Sequence, residues 1–367
     1  MAVGLPLKTT YANGDVFSAS DINDTNGTIN ITAAPFAAGK NKIINGDFYV
    51  NQRNFTSTTT STTFGHDRWR LRSAGGTATY STQAFTAGTA PVAGYEGTNF
   101  ARLVTSGQSG TNDYASIEQP IEDVRTFAGQ TVTVSFWAKA STGTPNVGLS
   151  LQQYFGSGGS TSVYTSPAVK AITSSWARYS FNVAVPSISG KTITTATNLS
   201  LWLETSVGTA ISAAGFAAVG IQNVTIDIWG VQVESGSTAT GFQTASGSIQ
   251  GELALCQRYY YRQSATNNAN TYFGSAWANG STFIESPISL PVVMRTTPTL
   301  ESTGTASNYS ANMGNSSFVA TVAPLMDISS VDTPVIYITV SGATNATAGA
   351  IKANGTTSAY LGFSAEL

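Results

Sequence analysis

Charge is what this chain lacks most. Its 367 residues carry 17 Lys+Arg and 19 Asp+Glu, 10% of the total, against roughly 25% in an ordinary soluble domain. Ser, Thr, Asn, Gln and Gly must therefore supply the contact with water. A formal net charge of −2 offers no cationic stripe for phosphates, which argues against a nucleic-acid partner and against anionic membrane surfaces. One cysteine, Cys256, permits no intrachain disulfide, and one histidine, His66, excludes an HExxH site or a Cys/His zinc cluster within a single chain. No run approaches the ~20 apolar residues of a membrane-spanning helix. The most apolar stretch, Ala210 to Ile221, is short and broken by glycine, so no membrane insertion is expected. The opening residues Met1 to Lys8 lack a basic region followed by a long apolar run, and synthesis in a cytoplasm is expected.

What the chain does have is short runs of Val, Ile, Thr, Tyr, Phe and Trp alternating with period two, separated by Gly/Ser/Asn/Thr clusters. This pattern predicts an all-β fold of sandwich type. Val132, Val134, Phe136 and Ala138 make one aliphatic strand face; Leu149 with Leu151, and Leu199 with Leu201 and Leu203, make two more. In Val224 to Glu234 the apolar phase runs through Val224, Ile226 and Ile228 and then slips to Val231 and Val233, which predicts a β-bulge at Gly230. Residues 1–39 hold too few large apolar side chains for a core and read as an extended arm. Residues 40–245 read as a large jelly-roll-like sandwich and 246–367 as a smaller C-terminal one, with strands expected over 282–288, 292–295, 317–322 and 335–340. Glu252 to Tyr259, free of Gly and Pro, is the best helix candidate.

Asn45-Gly-Asp-Phe48 with Asn51-Gln-Arg53, then Asp67-Arg-Trp69, Gly230 to Phe242, and Glu252 to Tyr260 resemble, in this order, tail-fibre and related virion proteins of tailed bacteriophages. Leu290 to Thr299 is similar to the same group's next motif, and Asn13 to Asn23 resembles the attachment leader of such fibres. The resemblance implies a virion tail appendage made in the bacterial host cytoplasm, a homotrimer. It also implies other phage tail or baseplate proteins as partners through residues 1–39 and a carbohydrate-binding-module-like sandwich facing a host surface polysaccharide; from the residues themselves, no catalysis and no obligatory cofactor are expected. It further implies a structural calcium in some relatives, for which Asp47 and Asp227 are the candidate oxygen ligands here.

On the residues themselves the motifs read mostly as structure. Asn45-Gly-Asp is turn chemistry, Asp67-Arg-Trp69 buries an indole with Asp and Arg paired at its rim, and Cys256 is a small buried apolar group. A sugar site wants an aromatic ring flanked by amides or carboxylates. Opposite the aliphatic walls the alternation places Trp137, Tyr154 with Gln152, and Trp202 with Glu204; Tyr272 and Trp277 offer a second site in the C-terminal unit. Those faces serve a glycan or pack against another subunit, and the sequence leaves both open. Two other functions remain. A structural baseplate component shares every motif. A glycan depolymerase would need two carboxylates roughly 5–10 Å apart across a groove, for which Glu118, Glu122 and Asp113 are the nearest candidates; His66 and Asp67, adjacent in sequence, point apart and give no hydrolase triad.

Overall fold

The computed structural model describes residues 39–166 and 169–367, so the expected arm lies outside the described residues except at Gly39. The fold is all-β. Its first strands are β1 (Ser57–Thr58), β2 (Arg70–Ala74), β3 (Thr77–Ala84), β4 (Asn99–Ser106), β5 (Tyr114–Glu122), β6 (Thr131–Ala140), β7 (Asn146–Tyr154), β8 (Val163–Thr165), β9 (Lys170–Ala171), β10 (Ala177–Ala184), β11 (Asn198–Val207) and β12 (Thr225–Ser235). One sheet runs β1-β3-β4-β12-β6-β10; the other runs β2-β5-β11-β7-β8, with β9 also on β7. All the pairings are antiparallel.

The sheets are held face to face by the alternation. Val132, Val134, Phe136 and Ala138 of the first sheet meet Leu149, Leu151, Leu199, Leu201 and Leu203 of the second in one buried cluster. Each such side chain contributes about 1.5–3 kcal/mol by leaving water, enough to fix the register, since a one-residue slip would turn the whole row outward. The bulge falls where the phase slips: the β12–β6 register shifts between Trp229 and Gln232, and Gly230 takes φ +65°. Ile226, Ile228, Val231 and Val233 thereby all reach the core.

The remaining strands are β13 (Tyr260–Ser264), β14 (Tyr272–Asn279), β15 (Phe283–Pro287), β16 (Thr299–Ser302), β17 (Tyr309–Met313), β18 (Ser316–Val319), β19 (Val322–Ile328), β20 (Val335–Thr339), β21 (Ala348–Ala353) and β22 (Tyr360–Ser364). They form a sheet β13-β22-β16 and a larger one β18-β17-β21-β14-β15-β20-β19, around a second apolar cluster that includes Phe273, Tyr309, Ile336, Ile351 and Phe363. The strand expected at 292–295 is absent; Met294 and Arg295 instead donate their backbone N–H groups to Val331 and Arg258 in a connecting segment. Two helices are described, α1 (Thr209–Ala213) and α2 (Ile249–Gln257). The second begins three residues before the apolar run suggested, because the Ser248 hydroxyl accepts from the Gly251 N–H at 3.1 Å and caps it. Cys256 on α2 is fully buried, and burial pushes its thiol well above the usual range.

The motifs at 45–53, 67–69, 230–242 and 252–260 meet at the seam between the two clusters, while Asn13 to Asn23 lies outside the described residues. Asn45, at φ +57°, donates its amide to the Val50 and Asp67 carbonyls at 2.8 and 3.0 Å and its backbone N–H to Glu252 of α2 at 2.5 Å. The Trp69 indole in turn donates to the Asn45 carbonyl at 3.0 Å. Gly46 has no alternative, since a Cβ there would run into the Val231 carbonyl. The guanidiniums of Arg53 and Arg68 each lie 3.5 Å from the ring centre of Tyr260 and Tyr259 respectively, and both reach Glu366. Asp67 and Arg68 therefore do not pair with one another as expected: Asp67 is held by Gln52 and Arg53, and Arg68 by Glu366 and the Pro120 carbonyl. His66 bonds to Tyr80 and Thr82 at 2.7 and 2.9 Å, away from Asp67.

Candidate functional site

The outward face of the β2-β5-β11-β7-β8 sheet is where polar and aromatic side chains gather. With Leu199, Leu201 and Leu203 turned inward, Asn198, Ser200, Trp202 and Glu204 of β11 face out by the two-residue period. Cross-strand register then builds rows. Trp202 stands opposite Glu118 of β5 and Ser150 of β7; Ser200 opposite Pro120 and Gln152; Asn198 opposite Glu122 and Tyr154. On the edge strand β2, Arg70 stands opposite Glu118 and Arg72 opposite Ser116. These rows floor a groove of about 340 Å³ whose walls include Tyr154 and Gln152 on one side and Arg70, Arg72, Arg295 and Glu366 on the other.

Its charges are tied together. The Glu118 Oε2 atom accepts from Arg70 Nε at 2.8 Å and lies 3.4 Å from Arg72 Nε. Arg70 also donates to the Leu367 carbonyl at 2.7 Å, and Arg295 donates to the Ala365 and Glu366 carbonyls at 3.1 and 3.2 Å. The last three residues thus bank one side of the groove.

Trp202, Tyr154 and Gln152 are brought together here, but the indole is not the open platform expected of it. Trp202 is only 3% exposed. Arg72 covers it at 4.8 Å, and Phe216 meets it edge-on at 5.1 Å from the loop after α1. Its Nε1 has no hydrogen-bond partner. Glu204 shares the strand face and is excluded from the groove: it is buried, accepts from the Ser150 hydroxyl at 2.7 Å and the Ala217 N–H at 3.0 Å, and burial pushes its carboxyl up to about 8.

The other candidates lie elsewhere. Trp137 is on β6 of the opposite sheet, packed on Trp229 at 5.7 Å and covered by Arg178 at 4.7 Å, so it cannot share a ligand surface with Trp202. Tyr272 and Trp277, 58% and 40% exposed, are on β14 of the C-terminal sheet, where Phe283 and Leu325 are also exposed. Asp47 accepts from the Tyr95 hydroxyl at 2.6 Å beside a second cavity of about 310 Å³ with Tyr49, Ile249 and Glu252; burial raises its carboxyl. Asp227 is ion-paired to Arg102 at 2.6 Å and Lys139 at 3.6 Å. The two candidate calcium ligands thus have separate partners, and among the described residues no group of three or more His, Cys, Asp and Glu stands together.

The carboxylates considered for hydrolysis are likewise engaged. Burial pushes Glu122 up, but bonds from Arg258 and Tyr259 at 2.9 and 2.8 Å outweigh it and hold the carboxyl low. Asp113 is held low by the Ser109 and Gly110 N–H groups of its own turn.

No protein-family model matches the sequence, and no curated protein matches it. Among solved structures, the chain is similar to the enzymatically active domain of tailspike protein 4 from bacteriophage CBA120, at 15% identity over 54% of this chain and 22% of that one, TM-score 0.31. It is similar to the CBM22-1 xylan-binding domain of Paenibacillus barcinonensis Xyn10C, at 12% identity over 55% and 98%, TM-score 0.31. It is also similar to the family 11 carbohydrate-binding module from Clostridium thermocellum in complex with a β-1,3-1,4-mixed-linked tetrasaccharide, at 11% identity over 51% and 99%, TM-score 0.31. The chain spans about a fifth of the tailspike chain, 22%. At such scores nothing about this chain's ligand, partners or activity follows from the likenesses.

Sequence reasoning missed the arginines of the groove. Arg70 and Arg72 are two apart in Trp69-Arg-Leu-Arg72, and with Leu71 in the core they had to share the outer face. That signal was in the alternation. Arg295, Glu366 and Leu367 reach the groove only through the packing of the second unit, which no local pattern encodes.

Proposed function

We propose that this chain is a tail-fibre protein of a tailed bacteriophage that attaches the virion to a host-surface glycan without cleaving it. In this reading it acts as a homotrimer with residues 1–39 docking on other tail or baseplate proteins. One observation carries the glycan reading: Gln152, Tyr154, Asn198 and Ser200 share a groove with the Trp202 indole and a fixed Arg–Glu pair. Amides, hydroxyls and a planar charged pair match the hydroxyls of a saccharide, and the half-buried Tyr154 ring matches a C–H face. Glu118, with one oxygen shared between two guanidiniums, serves this binding role better than proton transfer. Modest affinity per site suffices, because three identical sites on a repeating glycan gain avidity through effective concentration. The phage assignment rests on the ordered motifs at 45–53, 67–69, 230–242 and 252–260.

The test is binding of the purified assembly to a glycan array and to intact bacteria, with Tyr154→Ala and Trp137→Ala compared. Binding lost in the first and kept in the second, both variants folded, supports the groove. Binding insensitive to the first, or shortening of the glycan during the assay, overturns the proposal.

A further inference from the structure

We infer that the groove takes an acidic glycan, one whose repeat carries a carboxylate or a phosphate, and that Arg72 and Arg295 are the residues that select it. This rests on the glycan-binding reading above and names its ligand class.

The argument is a pairing count. In a chain this poor in charge, Arg53, Arg68, Arg70, Arg72, Arg258 and Arg295 are gathered along the seam and its groove. The carboxylates facing them are Asp67, Glu118, Glu122, Glu366 and, beside Arg53, Glu301. Glu366 pairs with Arg68 and Arg53, Asp67 with Arg53, Glu122 with Arg258, and Glu118 with Arg70. Of these six guanidiniums, Arg72 and Arg295 are the two without a carboxylate oxygen of their own.

The two left over both line the groove. Arg72 reaches only the oxygen of Glu118 that Arg70 already occupies, and its Nε is buried without a hydrogen bond. Arg295 donates only to backbone carbonyls, and among the described residues it has no carboxylate within ion-pair distance. Burial foremost lowers its pKa; Glu122 and Tyr259 oppose that, and Arg68 and Arg258 add to it. Guanidinium pairs planar oxyanions in two-point geometry, so a sugar acid supplies what the protein leaves out. The opposite side of the groove, with Gln152, Tyr154 and Asn198, is uncharged and suited to hydroxyls.

The intact protein is titrated with hexameric uronates and with their carboxyl-reduced counterparts, in which each carboxylate is replaced by an uncharged CH2OH, and with a phosphodiester-linked glycan as a separate arm. The expected result is binding of an acidic member about tenfold or more tighter than its neutral twin, the strength of a charge-assisted hydrogen bond. The preference should shrink as salt is raised; this needs no variant and stands even if substitutions disturb folding. Arg72→Gln and Arg295→Gln should each narrow it. Equal affinity for both twins, or a preference untouched by salt and by both variants, overturns the inference while leaving glycan binding intact. Binding of neutral glycans alone does the same, and binding of none overturns both readings.

Discussion

The Arg72 guanidinium sits 4.8 Å from the ring centre of Trp202 and, with Phe216 on its edge, seals an indole that lies on the outside of a sheet. Cation–π contact of this kind contributes about 0.5–2 kcal/mol. Arg72→Ala should therefore uncover the ring. We expect a red shift of tryptophan emission and a larger acrylamide-quenchable fraction, both abolished when Trp202→Phe is added. An unchanged spectrum would mean that Phe216 and Tyr114 alone cover the indole.

Glu204 makes stability depend on pH in a defined window. Its carboxyl ionises near 4.5 in the unfolded chain and at about 8 when folded, so the unfolded state gives up its proton first. Stability is fully present below pH 4.5, falls as pH rises to about 8, and is flat beyond. Glu204→Gln can still accept from the Ala217 N–H through its one oxygen and donate its amide to the Ser150 hydroxyl, without that loss. Its chemical denaturation midpoint should exceed wild type at pH 8 by the equivalent of a few kcal/mol, and the gap should close near pH 4.5. A constant gap from pH 4 to 8 would show that Glu204 is ionised in the fold.

His66, the chain's one histidine, gives a single imidazole signal. Burial lowers its pKa to about 3, so the ring stays neutral in the fold. Here the sign reverses: the contribution is complete above pH 6.5 and is lost as pH falls toward 3. The C2–H proton resonance should not move between pH 8 and 4.5 in the native protein. A titration with a midpoint near 6.5 would contradict the hydrogen bonds to Tyr80 and Thr82.

Glu366 joins the two cores, pairing with Arg68 and Arg53, and the Arg68 and Glu366 side chains are only 1% and 6% exposed. Removing one partner of a buried pair strands the other charge, a cost of about 3–5 kcal/mol. Glu366→Ala should lower stability by that order and, read by separate probes for each core, uncouple their unfolding. A loss under about 1 kcal/mol would mean that water replaces the carboxylate at the seam.

What could be read from the sequence was what depends on period two. The inner walls at Val132 to Ala138 and Leu199 to Leu203, the slip at Gly230, and the outward placing of Trp202, Gln152 and Tyr154 follow from alternation within single strands; that these three share one groove comes from the β11–β7 register. What failed depended on long-range packing. Alternation puts Trp137 and Glu204 outward, but cannot say that Trp137 belongs to the opposite sheet or that the loop after α1 folds over Glu204. Val292 to Arg295 has strand composition, yet its N–H groups find partners in a crossing segment. The motifs at Asn45 and Asp67 to Trp69 are seam and turn residues, which is why they carry no information about a ligand.

The most direct test of the groove as the glycan site is a paired affinity measurement on the intact protein. Gln152→Ala with Tyr154→Ala alters the groove; Tyr272→Ala with Trp277→Ala alters the exposed C-terminal face. The account predicts that the first pair weakens glycan binding by about tenfold or more with melting unchanged, and that the second leaves affinity as it was. The reverse pattern would place recognition on the C-terminal sheet and contradict the account.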